Sequence, residues 1–282
     1  MGRVLLRLLA GEELGQVAVR ERHRLRTVPA HGGRDGPGAT IGDHRTGLHD
    51  QPSRPGRPTL EPWYRAAEIT LKAPLKLWFN WRFEGLENIP AEGPALLACN
   101  HTSYFDPLAH ALGVVNAHRR PRFLAKVELY DGWFMGHLLR GARQIPVDRG
   151  SGSRAPIEAA VQALHEGQAV IIFPEGTVTT NPDHTPMRGK TGVARIALEA
   201  DVPVIPSVVW GAHQVIQKGG QKGITFGRPI WGKVGAPMDF SDYRDQRNDA
   251  EALRTVTDEV MAELSRLVAD LRSRYPKRWE DR

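Results

Sequence analysis

The segment Asn100-His101-Thr102-Ser103-Tyr104-Phe105-Asp106-Pro107 sets an imidazole and a carboxylate five residues apart. A carboxylate at that distance can fold back onto the ring and accept its N–H. The contact would fix the tautomer and stabilise an imidazolium. The second ring nitrogen would then be available to take a proton from a hydroxyl. On spacing alone, the pair also reads as a helix cap beside a packing histidine. A third member, the nucleophile, is missing. Ser103 lacks the Gly-x-Ser-x-Gly turn that exposes a nucleophilic serine. Cys99 ends an apolar run expected to be a buried strand, where thiols are usually inert. A His–Asp pair without its own nucleophile suggests that the substrate brings the attacking oxygen.

Three further stretches carry usable groups. Phe173-Pro174-Glu175-Gly176-Thr177 follows the most β-branched run of the chain. It would set a carboxylate and a small residue at a strand end, where α/β sheets bind ligands. The same five residues also read as an ordinary turn. Gly189-Lys190-Thr191-Gly192 lacks the first glycine of a phosphate loop, since His184 stands there. Lys190 nevertheless opens a predicted helix, and a helix start with a lysine suits an anion. Arg149, beside Gly150, is a second phosphate candidate, because a guanidinium matches two phosphate oxygens at once. The eleven histidines form no His-Glu-x-x-His pattern and the single cysteine has no pair, so no metal site is expected.

These residues need a scaffold. Short apolar runs at 94–99, 122–125, 144–147, 169–173, 202–210 and 224–226 predict strands. Helical patterns at 107–115, 133–139, 157–165, 192–200 and 245–274 alternate with them. The alternation predicts an α/β domain over 84–282, a mainly parallel sheet with helices on both faces. Asp106 would cap the first of these helices, with Pro107 at its first position. Pro203 and Pro206 predict an edge or strand-start position for 202–210.

The rest of the chain is of another kind. The protein has 282 residues, a net charge of +6 and a mean hydropathy of -0.40. No stretch reaches the roughly 18 apolar residues that span a bilayer. Arg7, Glu12 and Glu13 spoil a signal-peptide reading of the start, so no export is expected. Residues 1–58 hold ten arginines and six acids, a local +4 that leaves only +2 for the remainder. Rich in Gly, Pro and Arg, this tail predicts disorder. Most of the basic charge therefore has nothing to do with a catalytic partner, and nucleic acid is not expected. Residues 59–83 crowd Trp63, Trp78 and Trp81 with Lys72, Lys76 and Arg82 into one apparent helical stretch. Tryptophan and lysine on an amphipathic helix, or a helix pair split at Pro74, suit an anionic membrane surface. Packing against its own domain is the alternative.

Taken together, the motifs resemble the glycerophospholipid acyltransferase family. Asn100, His101 and Asp106 match its Asn-His-x4-Asp block, and Gly141 to Arg149 its second block. Residues 173–177 match its third block in full, and Val202-Pro203-Val204-Ile205-Pro206 its fourth. The resemblance implies that His101, held by Asp106, deprotonates the hydroxyl of a lysophospholipid such as 1-acyl-sn-glycerol-3-phosphate. That oxygen then attacks the thioester of acyl-CoA or acyl carrier protein, a co-substrate; no cofactor is implied. Arg149 and Lys190 would hold the phosphate, Glu175 the glycerol hydroxyls, and Gly176 and Thr177 would shape that site. Backbone N–H groups near the start of the Pro107 helix are candidates for the oxyanion. Trp133, Phe134, Met135, Leu138 and Leu139 could line an acyl groove or equally pack in the core. A peripheral protein on the cytoplasmic face of the membrane would follow. The runner-up acceptor is glycerol 3-phosphate or another lysophospholipid; a binder of anionic membrane or nucleic acid is the reading from another class.

Overall fold

The computed structural model describes residues 74–147, 154–216 and 223–279. The expected disordered tail 1–58, Trp63 and the first part of the 59–83 stretch lie outside the described residues. So do Arg149 and the side chains of Trp133, Phe134, Met135 and Leu138.

Seven strands form one sheet in the order β1-β7-β6-β2-β5-β3-β4. In chain order the elements are β1 (Asn80–Glu84), β2 (Ala95–Cys99), α1 (Asp106–Asn116), β3 (Pro121–Lys126) and α2 (Trp133–Gly141). They continue with β4 (Ile145–Val147), α3 (Ala155–His165), β5 (Ala169–Ile172), α4 (Gly192–Ala200), β6 (Val204–Trp210), β7 (Pro229–Val234) and α5 (Ala250–Arg274). Strands β6, β2, β5, β3 and β4 run parallel; β7 pairs antiparallel with β6, and β1 parallel with β7. The mainly parallel α/β expectation holds.

Strand side chains alternate faces, and the core divides accordingly. Leu96 and Ala98 of β2 join Val170 and Ile172 of β5 under α3, α4 and α5. Ala95, Leu97 and Cys99 join Ala169 and Ile171 under Val114 of α1 on the other face. Burial on both faces explains why these strands read as unbroken apolar runs. Helix α5 buries Leu253, Val256, Val260, Leu264, Leu267 and Leu271, three or four residues apart. It begins at 250 rather than 245, where the Asp249 carboxylate accepts the Ala252 N–H at 2.8 Å.

Three expectations are corrected. Residues 80–83 are not helical: Trp81 and Phe83 alternate with Arg82 and Glu84, stack on each other at 5.8 Å, and sit in strand β1. Residues 224–226 are not a strand; the pairing strand is β7, five residues further on, whose run is disguised by Pro229 and Gly232. Gly232 has to be small, since a Cβ would meet the Phe83 ring at 2.7 Å. Strand β6 is interior, between β7 and β2, despite Pro206. Pro206 faces Gly235, just past the end of β7; Gly235 donates to its carbonyl at 2.8 Å, and the missing N–H falls where the β7 ladder has stopped.

The C-terminal helix is tied to the sheet by charge. Asp270 receives Lys233 of β7 and Arg274, each at 2.6 Å, and Arg274 also forks onto Glu84 of β1 at 2.8 and 3.0 Å. Hydrogen bonds from Lys233 and Arg274 hold the Asp270 carboxyl down to about 2, against an ordinary 3.8. A depressed carboxyl stabilises the fold above its unfolded value, and that contribution is lost as pH falls through its folded value. Urea unfolding followed from about pH 5 to pH 2 is therefore expected to show an acid-side loss of stability that Asp270→Asn makes shallower. An identical slope in the variant would remove the network from the acid response.

Candidate active site

Strands β2 and β5 are parallel neighbours, with Ala98 beside Ile172. The chain leaves β2 for α1 on one face and β5 for α4 on the other. Divergence of this kind opens a crevice at the carboxyl ends of the two strands. His101 follows β2 and Glu175 follows β5, so both lie at that crevice.

Asn100 fixes the exit from β2. Its side-chain amide donates to the Val209 carbonyl at 3.1 Å and accepts the Val209 N–H at 2.9 Å, continuing the ladder to β6 with a side chain. Asn100→Ala would leave both Val209 groups unpaired in the interior, at about 1–3 kcal/mol each. Loss of several kcal/mol of unfolding free energy is expected, read by denaturant titration.

His101 Nδ1 lies 3.1 Å from Asp106 Oδ2. The same oxygen accepts the backbone N–H of Thr102 and, at 2.7 Å, that of Ser103. The Thr102 hydroxyl reaches the other oxygen at 3.3 Å. Asp106 is the first residue of α1, and the preceding Phe105 supplies no side-chain cap. The capping expectation is corrected: the carboxylate turns back to its own loop, where three donors converge on one oxygen. Burial pushes its carboxyl up, against the pull of His101, Ser103 and Thr102. The His101 ring stacks on Phe173 with centroids 4.3 Å apart, and Nε2 has no hydrogen-bond partner among the described residues.

The two side chains that could have served as a nucleophile beside His101 are both buried. Ser103 is buried, its hydroxyl donating to the Ile216 carbonyl at 2.6 Å and accepting the Phe105 N–H at 3.0 Å. Cys99 is buried on β2, and burial pushes its thiol well up. Most N–H groups at the α1 start are already bonded. Asp106 takes the N–H groups of Thr102 and Ser103, Ser103 takes those of Phe105 and Asp106, Phe105 takes those of Leu108 and Ala109, and Pro107 has none. The Tyr104 N–H has no hydrogen-bond partner among the described residues and remains the candidate for an oxyanion there.

Glu175 sits differently from a group reserved for substrate hydroxyls. It is buried; one oxygen accepts the His101 N–H at 2.8 Å and the other the Met187 N–H at 2.9 Å. Burial raises its carboxyl, and the bonds from Met187 and His101 lower it. The His101 carbonyl in turn accepts the Thr179 N–H at 2.7 Å. The backbone of His101 is thus clamped from both sides by the segment after β5. Spacing within one motif could not reveal this, because the two partners are 74 residues apart.

Gly176 and Thr177 are exposed at the crevice mouth. Gly176 has φ 76°, a left-handed value that favours glycine, and the Lys190 side chain lies across it. The Lys190 N–H donates to the Pro174 carbonyl at 2.8 Å, which brings the two motifs side by side. Lys190 itself precedes α4, whose flanking residue is Thr191. No group of His, Cys, Asp or Glu that could hold a metal occurs among the described residues.

Known proteins resemble this chain over the same region. Residues 80–210, which contain every residue discussed above as a site candidate, match the acyltransferase family. The 1-acyl-sn-glycerol-3-phosphate acyltransferase of Bacillus subtilis is 28% identical over 170 residues, covering 59% of this chain and 82% of that protein. The lyso-ornithine lipid O-acyltransferase of Pseudomonas aeruginosa is 35% identical over 118 residues, 41% of this chain and 43% of that one. The crystal structure of the 1-acyl-sn-glycerophosphate acyltransferase PlsC from Thermotoga maritima superimposes with a TM-score of 0.57 at 28% identity, covering 76% of this chain and 81% of that chain. With its ordered motifs, its sheet and these relatives, the chain is similar to O-acyltransferases of the glycerophospholipid type, the family match falling on residues 80–210.

Proposed function

We propose that the protein moves a fatty acyl group from acyl-CoA or acyl carrier protein to the free hydroxyl of 1-acyl-sn-glycerol-3-phosphate, giving phosphatidic acid. One observation carries the mechanism: His101 is held by Asp106 at 3.1 Å while Ser103 and Cys99 are both buried and committed elsewhere. The attacking oxygen then comes from the acceptor. His101 Nε2 takes the hydroxyl proton as the oxygen bonds to the thioester carbonyl carbon. The C–S bond breaks, and the imidazolium returns the proton to the leaving thiolate. Asp106 stabilises the imidazolium throughout. Glu175 acts as a positioning residue, holding His101 through its backbone rather than touching glycerol. No resident cofactor or metal is invoked.

Lys190 and Arg149 are assigned to the acceptor phosphate. Lys190 is exposed beside Gly176 at the crevice mouth, which supports its part. A charge-assisted hydrogen bond is worth about 1.5–3 kcal/mol. Lys190→Ala is thus expected to raise the acceptor KM about tenfold or more; an unchanged KM would remove Lys190 from the phosphate. The acceptor lives in a bilayer, so the enzyme is placed at the membrane surface as a peripheral protein, on the cytoplasmic face where acyl thioesters are made. No helix among the described residues is long and apolar enough to cross a membrane. The similarity to a lyso-ornithine lipid acyltransferase favours a second reading, in which the acceptor bears another head group.

A panel of acceptors with radiolabelled acyl thioester decides between them. Labelled phosphatidic acid from 1-acyl-sn-glycerol-3-phosphate, with glycerol 3-phosphate and other lysolipids slower, is the expected result. Preferred acylation of another acceptor would overturn the assignment.

A further inference from the structure

Two apolar segments stand exposed at one end of the sheet. Leu77 is 78%, Trp78 45% and Phe226 69% exposed, with Ile224 and Tyr104 exposed beside the same loops. The first segment enters β1 and the second enters β7. Strand β7 runs antiparallel to β6, pairing Trp231 with Trp210, and β1 runs parallel to β7. The start of β1 and β7 therefore coincides with the end of β6 and β2, the end that carries His101. The segments are built together: Gly227 donates to the Trp78 carbonyl at 2.8 Å, Asn80 to the Arg228 carbonyl at 2.9 Å, and Trp78 meets Phe226 edge-on at 5.6 Å. They are also tied to the His101 loop, since Phe79 packs on Phe105 at 5.3 Å.

Charge points to the occupant. No aspartate or glutamate occurs between Glu68 and Glu84, or between Asp201 and Asp239, and the exposed Lys76 directly precedes Leu77. Exposed tryptophan and phenylalanine with a lysine and no acids suit the interface of an anionic bilayer. We propose that the β6–β7 segment, through Ile224 and Phe226, joins Leu77 and Trp78 in one two-part docking rim that sets the His101 end of the sheet against an anionic lipid surface. The proposal rests on the acyltransferase reading for its purpose: the acceptor would reach His101 without leaving the bilayer. It also gives a reason for β-formers standing unpaired where a strand was expected.

The test uses the full chain and an Ile224→Ser/Phe226→Ser double variant, which alters exposed residues away from His101, Asp106, Glu175 and Lys190. Flotation with vesicles of equal parts phosphatidylcholine and phosphatidylglycerol is expected to show partition of the double variant reduced about tenfold or more. Vesicles of phosphatidylcholine alone should bind both proteins weakly. Turnover of vesicle-borne 1-acyl-sn-glycerol-3-phosphate should fall in parallel, while turnover of a short-chain, monomeric acceptor should stay within about twofold. Unchanged flotation would overturn the proposal. So would a change from dimer to monomer by light scattering with flotation intact, which would make the rim a face between two copies. Equal loss of both activities would overturn it too. If neither protein acylates the soluble acceptor, the catalytic reading fails, and flotation still decides the rim.

Discussion

Replacing His101 with alanine is expected to lower acyl transfer by about 10²–10⁴-fold, the usual contribution of a positioned general base. The fold should survive. The ring is partly exposed, and its lost contacts are the Phe173 stack and one bond to an Asp106 oxygen that keeps two backbone donors. Unfolding free energy is thus expected to move by about 1 kcal/mol. Residual activity should remain, because the acceptor and donor are still held together. Asp106→Asn should also lose rate, since an amide stabilises the imidazolium less well than a carboxylate. The measurement is steady-state thiol release with acceptor present, beside a thermal melt. A folded His101→Ala enzyme that consumes thioester at the parent rate would remove the imidazole from the chemistry.

The second large effect belongs to Glu175. Glu175→Ala strips the acceptor from two backbone N–H groups, those of His101 and Met187. A buried orphan costs about 1–3 kcal/mol, so the pair costs about 2–6 kcal/mol. The loop that carries the imidazole loses its clamp at the same time, and little activity should remain. Glu175→Gln separates the two possible roles. It keeps the volume, yet its amide nitrogen must face one of the two donors. A positioning residue then shows a lower kcat, a near-constant acceptor KM and a lower melting temperature. A residue that bonds glycerol hydroxyls directly would show the reverse: a raised KM in a protein of unchanged stability.

The contrast between these two residues explains what was readable from the chain and what was not. His101 and Asp106 are five residues apart, and their contact is local, so spacing could suggest it. The clamp by Glu175 spans 74 residues and uses backbone groups, which leave no mark on residue type. The same distinction runs through the fold. Strands β2 and β5 are buried on both faces and read as continuous apolar runs. Strand β1 was hidden because Trp81 and Phe83 continue the aromatic density of the preceding segment, so period two passed for period 3.6. Strand β7 was hidden by Gly232, which is small because the Phe83 ring of the neighbouring strand lies against it. Pro206 suggested an edge because the rule concerns a missing donor. It gives no warning when the donor would have faced the point where a neighbour ends. Residues 224–226 show the reverse. There β-forming side chains have no strand partner, and their exposure is what the lipid rim accounts for.

The central claim is that the acceptor, not the protein, supplies the nucleophile. Mixing enzyme with radiolabelled acyl thioester in excess over active sites, without acceptor, tests it most directly. Direct transfer predicts no burst of thiol and no label on the protein after denaturation. Adding 1-acyl-sn-glycerol-3-phosphate should then release one thiol for each ester formed, at a rate that His101→Ala lowers about 10²–10⁴-fold. A stoichiometric thiol burst without acceptor, with label retained on the chain, would mean an acyl-enzyme and would contradict the account.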